Sequence, residues 1–241
     1  AYVGDDRYMA DFVIDACKGA QQMGVDFANY DQDNDGNVDL VYILYAGHGQ
    51  ADGGASTCIW PHAWDMQSIL YFGNTKQTEY YVKLNDKGQI VSQNLPVFNG
   101  KTILRYACSN ELMYRSNART SIGTICHEFG HVMGLADLYD TENGDNYTDY
   151  LTPNEWDIMD GGAYNGGGHC PPNYNVWAKY FFGWVKPVNL QKTPQNITLI
   201  ANGETNYNAY YLNSLGADMT ATTGGWCYYL ENRQQKGWDK F

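Results

Sequence analysis

One stretch, TSIGTICHEFGHVMGLAD at residues 120–137, constrains the local structure of this chain more than any other. Its apolar residues recur at the spacing of one helix face, and Thr120 or Ser121 can cap that helix. Gly134 stands where a helix can end with a positive φ angle, after which the chain can turn back. The apolar stripe consists of Ile122, Ile125, Phe129 and Val132. The pattern predicts a short helix followed by a reversal of the chain.

The polar residues of this stretch have the spacing of a zinc site. His127 and His131 are one helical turn apart on the same face, where two neutral imidazoles can bind one zinc ion. Glu128 is rotated away from that axis, so it reaches a zinc-bound water better than the metal and can act as a general base. The reversal at Gly134 brings Asp137 to the position of a third ligand. We therefore predict zinc ligands His127, His131 and Asp137, with Glu128 catalytic and Gly134 structural.

The same two histidines could be ordinary residues of a helix that binds no metal. The zinc interpretation is preferred because the helix cap, the glycine and the downstream acid all fall where a site needs them. Cys126 directly precedes His127. Since neighbouring helical residues point about 100° apart, these two cannot form a Cys–His nucleophile pair.

A second candidate metal site lies in DQDNDGNVD at residues 31–39. Oxygen-bearing side chains alternate along it and a glycine stands sixth, as at the start of an EF-hand-type calcium loop. The predicted calcium ligands are Asp31, Asp33, Asp35, Asn37 and Asp39. Tyr42 replaces the usual bidentate Glu, so a further ligand would come from water or another segment. The alternative is a solvated acidic turn, but carboxylates this close repel one another, which favours a structural calcium ion.

Composition excludes some partners. The formal net charge of −12 and the pI near 4.6 would repel nucleic acid or an anionic membrane surface. The sequence contains no apolar run of about 18 residues that could span a bilayer. A charged fraction of 17%, with 21 Tyr and 26 Gly, suits an extracytoplasmic protein from which an export signal has been removed. Neutral or basic protein or peptide partners fit this surface, and the oligomeric state stays open.

The cysteines, His48 and His62 give weaker signals about structure and function. No two cysteines have the C-x-x-C spacing of a zinc knuckle, and up to three disulfides are compatible with the sequence, their connectivity open. The six are Cys17, Cys58, Cys108, Cys126, Cys170 and Cys227. His48 and His62 lie beside glycines and tryptophans, which allows a cleft-rim role, although hydrogen-bonded structural histidines are the more ordinary interpretation.

Local patterns predict an α/β (α+β) protein. Residues 6–28 have the spacing of an amphipathic helix, and residues 38–46, 78–84 and 102–107 that of strands. The Gly-, Asn- and Pro-rich stretch 141–175 is predicted to be largely irregular. After Pro194, the segments ITLIA, NAYYLN and WCYYLE predict short strands. We expect one domain at residues 1–190 and the beginning of a truncated β-rich C-terminal subdomain at residues 191–241.

Several of these motifs together resemble a known family. HEFGHVMGLAD matches the extended H-E-x-x-H-x-x-G-x-x-(H/D) signature of metzincin-like peptidases, and WDIMDGG at residues 156–162 looks like the methionine-containing turn of that clan. The whole set is similar to the immune inhibitor A family of secreted bacterial metallopeptidases, over residues from about 30 to 235. That similarity is carried by Asp137 as third ligand, the following LYD, the acidic loop at residue 31, AGHG, IWPH and ENRQQ.

The resemblance implies a zincin fold with an upper subdomain, built of a twisted mixed sheet and the active-site helix, and an irregular lower one. Residues 1–190 would then be a metallopeptidase catalytic domain, with Met159 packing below the zinc ion. The implied activity is that of a zinc-dependent endopeptidase, secreted or at the surface of a bacterial cell and stabilised by calcium. Glu128 would assist the attack of a zinc-bound water on the peptide bond.

The residue that would stabilise the oxyanion is not evident. Several metzincins carry a Tyr two residues after the Met, but Gly161 holds that position here. Tyr164 and His169 lie on the same Gly-rich loop and could take this role, or could be loop residues without a chemical role.

Two functions of other classes remain open. One is a catalytically inactive, calcium-stabilised adhesive or glycan-binding module on a zincin scaffold, although such a module has no need of Glu128. The other is a zinc hydrolase that acts on something other than peptides, since the zinc chemistry is shared.

Overall fold

The computed structural model of this chain describes residues 6–73, 75–140, 152–190, 196–213 and 227–240. These residues form a mixed α/β structure of small mixed sheets and a few helices. The chain divides into two compact units, Ala1–Gly134 and Leu135–Phe241. No helix within the described ranges is both long enough and apolar enough to cross a membrane.

The helices follow the apolar spacing of the sequence. Among the described residues the α-helices are α1 (Met9–Gln22), α2 (Met66–Tyr71), α3 (Ile122–Val132) and α4 (Val176–Phe181). Helix α1 buries Met9, Val13 and Cys17, which recur every four residues and therefore share one face. Helix α2 starts at an extended Asp65, whose carboxylate accepts a hydrogen bond from the Ser68 amide at 2.8 Å.

The strands are short, and most belong to the first unit. They are β1 (Asn37–Val38), β2 (Val41–His48), β3 (His62–Asp65), β4 (Tyr81–Leu84), β5 (Ile90–Asn94), β6 (Val97–Phe98), β7 (Lys101–Ile103), β8 (Arg105–Leu112), β9 (Val188–Asn189), β10 (Tyr210–Asn213) and β11 (Cys227–Leu230). The central sheet has the order β2–β8–β3, with β8 parallel to β2 and antiparallel to β3. Two smaller sheets, β1–β7–β6 and β4–β5, complete the first unit.

The core of the first unit lies where α1 and α2 meet these sheets. Ile14, Met66, Ile103 and Tyr106 are completely buried there. Strand β8 is buried along its middle because it is the central strand and helix α3 packs against it. The metal-binding helix predicted from the sequence is therefore supported by the most buried strand of its unit.

Within its described residues, the second unit contains fewer regular elements than the first. Short 3-10 helices at Asn154–Trp156 and Gly161–Tyr164 precede α4, and strands β11–β10–β9 form its sheet. Polar contacts join its distant segments: the Arg233 guanidinium donates to the Asn173 carbonyl at 2.6 Å and to the Asp239 carboxylate at 3.1 Å. Paired polar groups of this kind help to hold the distant segments of this unit together.

Most predicted elements are confirmed, with shifted boundaries. The helix expected at residues 6–28 is α1, the strand expected at 38–46 is mainly β2, and NAYYLN and WCYYLE contain β10 and β11. The strand predicted for ITLIA was wrong, because that segment makes only an isolated bridge between Ala201 and Asn232. Residues 152–175 are irregular apart from the two 3-10 helices, whereas 141–151 lie outside the described residues.

Candidate metal centre

Helix α3 carries the two histidines predicted to bind zinc. The helix starts after Ser121 at the N-cap, as the sequence predicts, and continues to Val132. The Nε2 atoms of His127 and His131 lie 3.1 Å apart, and the two rings are perpendicular with centroids 4.7 Å apart. Two imidazole nitrogens bound to one tetrahedral zinc ion would lie about 3.3 Å apart. The pair therefore fits a shared ion with little movement of either side chain.

Glu128 lies next to the first histidine and is buried. Only 5% of its surface is exposed. Burial raises the pKa of the Cys108 thiol in β8 to about 12, and the negative charge of Glu128 adds to this effect. The carboxylate of Glu128 therefore lies close enough to the poorly solvated central strand for its charge to affect a thiol there. Its position next to the first histidine suits a general base that acts on a zinc-bound water.

The chain reverses directly after helix α3. Gly134 has a φ angle of 101°, in the left-handed region that favours glycine, which confirms the predicted helix end. The Arg105 guanidinium donates to the Val132 carbonyl at 3.3 Å, a favourable place for a cation because helix C-termini carry partial negative charge. One ligand atom from each of His127, His131 and Asp137 lies within 4.8 Å of the other two.

These three residues have the donor set of a zinc centre. Two neutral imidazoles and one carboxylate suit Zn²⁺, and three protein ligands leave a fourth position for water or substrate. All three candidate ligands come from a single stretch of chain, residues 127–137, whose path the helix and the glycine turn determine. The side chains present therefore fit the metal that the sequence predicts.

The methionine turn lies beside the segment that carries Asp137. The Leu138 amide, one residue after Asp137, donates to the Met159 carbonyl at 2.9 Å. The side chain of Met159 is only 2% exposed, so its role is packing. The 3-10 helix that follows starts at Asp160, whose carboxylate accepts from the Gly161 amide at 2.7 Å.

The candidate oxyanion residues lie on the loop after this turn. A side chain on Gly161 would come within 2.5 Å of the Asn154 amide oxygen, so the tyrosine found there in several metzincins would have to displace Asn154. Tyr164 is 55% exposed and His169 is also exposed. We therefore keep both residues as the candidates for this role.

The acidic loop brings together three of its five predicted calcium ligands. One carboxylate oxygen from each of Asp31, Asp33 and Asp39 lies within 4.8 Å of the other two. Asp35 instead accepts hydrogen bonds from the Asn37 amide at 2.8 Å and from the Asn37 side chain at 2.9 Å. The alternation in the sequence therefore places Asp35 and Asn37 against each other and outside the group of three.

Lys101 joins this loop, and the sequence analysis did not identify it. Its ammonium lies 2.6 Å from Asp31, whose side chain is fully buried. This hydrogen bond is the main reason that the pKa of Asp31 is lowered. The contact arises because β1 pairs parallel with β7, the strand that begins at Lys101. No local pattern signals it, since the two residues are far apart in the sequence.

The remaining histidines and the cysteines have structural surroundings. The buried His62 contacts the Trp60 carbonyl and the Tyr106 hydroxyl at 2.6 Å each, and His48 lies 2.7 Å from the Asn117 side-chain oxygen. These contacts agree with hydrogen-bonded structural histidines. All six cysteines fall within the described residues, and no disulfide joins any of them. The disulfides that the sequence allowed are therefore not formed in this structure.

Comparison with protein families matches residues 21–185 to the immune inhibitor A peptidase M6 catalytic domain. Among individual proteins, immune inhibitor A of Bacillus thuringiensis subsp. alesti is 29% identical over 192 residues, covering 71% of this chain and 24% of that protein. The pre-pro-metalloprotease PrtV of Vibrio cholerae serotype O1 (strain M66-2) is 29% identical over 153 residues, covering 61% of this chain and 14% of that protein.

The chain thus spans about a quarter or less of the length of these relatives. The matched region includes the whole of helix α3, Gly134, Asp137 and the methionine turn. Since the match extends over more than half of the sequence, the chain belongs to the immune inhibitor A peptidase M6 family of metallopeptidases.

Proposed function

We propose that this chain is the catalytic part of a secreted bacterial zinc endopeptidase. The observation that carries the proposal is the grouping of His127, His131 and Asp137 next to the buried Glu128. Membership of the M6 family supports the choice of zinc and of peptide bonds as substrate. The names of the relatives support proteolysis, since PrtV is called a metalloprotease.

In this proposal Glu128 is the catalytic residue. When bound, zinc would polarise the scissile carbonyl and lower the pKa of a water molecule. Glu128 accepts a proton from the attacking water on a carboxylate oxygen and later transfers it to the amine nitrogen of the leaving peptide. Its burial keeps most bulk water away from the carboxylate. Met159 takes no proton and supports the ligand-bearing segment by packing.

The proposed architecture is that of a zincin. Its upper subdomain would contain the mixed sheet β2–β8–β3 with helix α3, and its irregular lower subdomain would contain the methionine turn. We propose residues 1–190 as the catalytic domain and 191–241 as the beginning of a β-rich subdomain. Strands β10 and β11 support a β-rich character for the latter segment.

We also propose that the loop at residues 31–39 binds a structural calcium ion. The grouping of the Asp31, Asp33 and Asp39 carboxylates supports it, because hard oxygen ligands suit Ca²⁺. The Asp35 and Asn37 side chains would have to separate from each other to join the ligand set. The loop leads into β1 and then β2, so an ion there would fix the entry to the central sheet.

The proposed substrates are proteins or peptides of neutral or basic character. The net charge of −12 opposes nucleic acids and anionic surfaces. The compared relatives are bacterial proteins, and the words "pre-pro" in one name denote a precursor, which supports export. We propose a secreted or cell-surface location on these grounds.

Casein hydrolysis by the purified protein tests the proposal. We expect the protein to cleave casein, a chelator to abolish this cleavage and added zinc to restore it. The variant Glu128→Gln should cleave about 10²-fold or more slowly while still binding zinc. Glu79→Gln is the matched control, because Glu79 is an exposed acid of the first unit, and it should leave the activity unchanged. Cleavage that survives both the chelator and Glu128→Gln would disprove the peptidase function.

The same experiment separates the two alternative functions. A protein that binds zinc but cleaves no protein substrate, and instead adheres to a glycan surface, would be the inactive adhesive module. A protein that hydrolyses small esters or amides in a zinc- and Glu128-dependent manner but leaves casein intact would be a hydrolase of another substrate class.

A further inference from the structure

Asp157 is a buried acid in the methionine turn that the proposed mechanism does not use. Only 2% of its surface is exposed, and burial raises the pKa of its carboxyl group. Burying a carboxylate costs free energy unless hydrogen bonds compensate for it. One oxygen of Asp157 accepts from the Met159 amide at 2.9 Å, so the acid holds the methionine main chain directly.

The second oxygen of Asp157 is held by Asn175. The Asn175 amide nitrogen donates to it at 2.5 Å, while the Asn175 amide oxygen accepts from the Ala178 amide at 2.8 Å as the N-cap of α4. The backbone amide of Ala178 can only donate, which fixes the orientation of the Asn175 side chain. Asp157 is thus anchored to the first turn of a helix.

The methionine main chain in turn holds the segment with the proposed third ligand. The Met159 carbonyl accepts from the amide of Leu138, which directly follows Asp137. A series of hydrogen bonds therefore connects Asn175, Asp157, Met159 and Leu138, entirely within the unit Leu135–Phe241. The main chain of this turn is closely packed. A Cβ added to Gly162 would lie only 2.4 Å from the Asp157 carbonyl oxygen.

We propose that Asp157, oriented by Asn175, is a positioning residue that fixes the main chain beside Asp137 and so raises the zinc affinity of the site. The inference rests on the proposed zinc function. It adds that the metal affinity depends on a buried Asp–Asn pair far from helix α3 in the sequence. Replacing a residue that orients a metal ligand in this way typically lowers the metal affinity about 10–100-fold.

The donor and acceptor pattern of the pair supplies a sharp test. Asp157→Asn places two amide nitrogens against each other, and Asn175→Asp places two carboxylates against each other, so each single change breaks the contact. The exchanged pair, Asp157→Asn with Asn175→Asp, restores one donor facing one acceptor. It also keeps an acceptor for Met159 and for Ala178, since both Asn and Asp are good N-cap residues.

Zinc affinity is measured in the intact protein by competition with a chelator of known affinity, with the metal alone as probe. We expect each single variant to bind zinc about tenfold or more weakly, and the exchanged pair to recover to within about threefold of wild type. Asn208→Ala is the control: Asn208 also makes two hydrogen bonds in this unit, to the Ile200 amide and the Thr198 carbonyl. It should lower the thermal midpoint without changing zinc affinity.

Asp137→Asn, measured alongside, separates the inference from the function on which it rests. If Asp137→Asn weakens zinc binding but the Asp157 and Asn175 variants lower only the thermal midpoint, as Asn208→Ala does, the positioning role is wrong and the zinc site stands. If Asp137→Asn leaves zinc affinity unchanged, Asp137 is not a ligand, and the positioning role proposed for Asp157 is then wrong as well.

Discussion

At the scale of single residues, the hydrogen bonds of His62 determine which ring nitrogen carries the proton when the side chain is neutral. The Trp60 carbonyl can only accept, so Nδ1 of His62 carries the proton and Nε2 accepts from the Tyr106 hydroxyl. The side chain is 2% exposed and its ring meets that of Tyr106 edge-on. Burial lowers the pKa of His62. The folded protein therefore holds this histidine in its neutral form.

We expect this histidine to make the protein less stable at acidic pH. Its pKa is lower in the folded than in the unfolded chain, so the unfolded chain binds the proton first as the pH falls below about 6.5. The stabilisation is complete above that pH and is lost as the pH falls through the folded-state pKa, by up to about 1.4 kcal/mol per pH unit. Urea unfolding of metal-free wild type and His62→Gln from pH 8 to pH 5 measures it.

Comparison of the two proteins isolates His62, since all other titratable groups are common to both. The free-energy difference between wild type and His62→Gln should be largest at pH 8 and shrink towards pH 5. A difference that stays constant over this range would mean that folding does not change the pKa of His62.

Local spacing determined which site residues the sequence could predict. His127, Glu128, His131 and Gly134 were placed correctly on a helix and its end, because the 3.6-residue repeat fixes which neighbours share a face. The Asp157–Asn175 contact had no such signal. It joins two irregular segments whose approach depends on tertiary structure.

At the scale of elements, the acidic loop depends on a strand that is distant in sequence. Strand β7 pairs with β1 at the end of the loop, and the Thr102 amide donates to the Gly36 carbonyl at 3.0 Å. This pairing brings the Lys101 ammonium to the buried Asp31 carboxylate. The ammonium neutralises part of the charge that a calcium ion would also neutralise, so a calcium ion at the proposed site would compete with Lys101 for Asp31.

We therefore expect Lys101→Met to have opposite effects without and with calcium. Without calcium, the buried Asp31 carboxylate of the variant has lost the ammonium that pairs with it. The thermal midpoint of the variant should therefore fall by a few degrees. Because the ammonium no longer repels the ion, the rise in midpoint on adding calcium should be larger than in wild type. Differential scanning calorimetry with chelator and with excess calcium gives both values.

The control for this prediction is Lys87→Met, which removes an exposed lysine in the turn between β4 and β5. It should leave the calcium-dependent rise as in wild type. Equal rises in wild type and Lys101→Met would show that Lys101 and calcium do not compete, and no rise in either protein would argue against calcium at this loop.

Elements with strong internal patterns were predictable, whereas the pairing of the strands into sheets was not. Helices α1 and α3 followed from apolar spacing. The strand expected at residues 102–107 is instead β7 and β8, which pair in different sheets on either side of Leu104. ITLIA has β-branched residues, but among the residues that the structure describes it pairs only at Ala201, through an isolated bridge, and a strand requires a partner along its length.

At the scale of the whole molecule, the uneven charge composition would favour cationic substrates of the proposed peptidase. The chain carries 27 acidic and 15 basic residues, a net charge of −12. A field of this size acts on a substrate before any specific contact forms, and it attracts cationic chains while repelling anionic ones. Its effect should appear in the rate of encounter and should depend on salt, because the Debye length falls from about 30 Å at 0.01 M to about 8 Å at 0.15 M.

We therefore expect the proposed peptidase to discriminate between substrates by charge at low salt. Two peptides with the same cleavable centre, one flanked by lysines and the other by glutamates, should differ in kcat/KM by about tenfold or more at 0.01 M salt, in favour of the lysine peptide. At 0.15 M the ratio should shrink severalfold, since screening weakens the long-range field but not close contacts. A peptide flanked by serines is the control and should respond little to salt. A ratio that is independent of salt would assign the preference to individual contacts in the cleft, and a preference for the glutamate peptide would contradict steering by net charge.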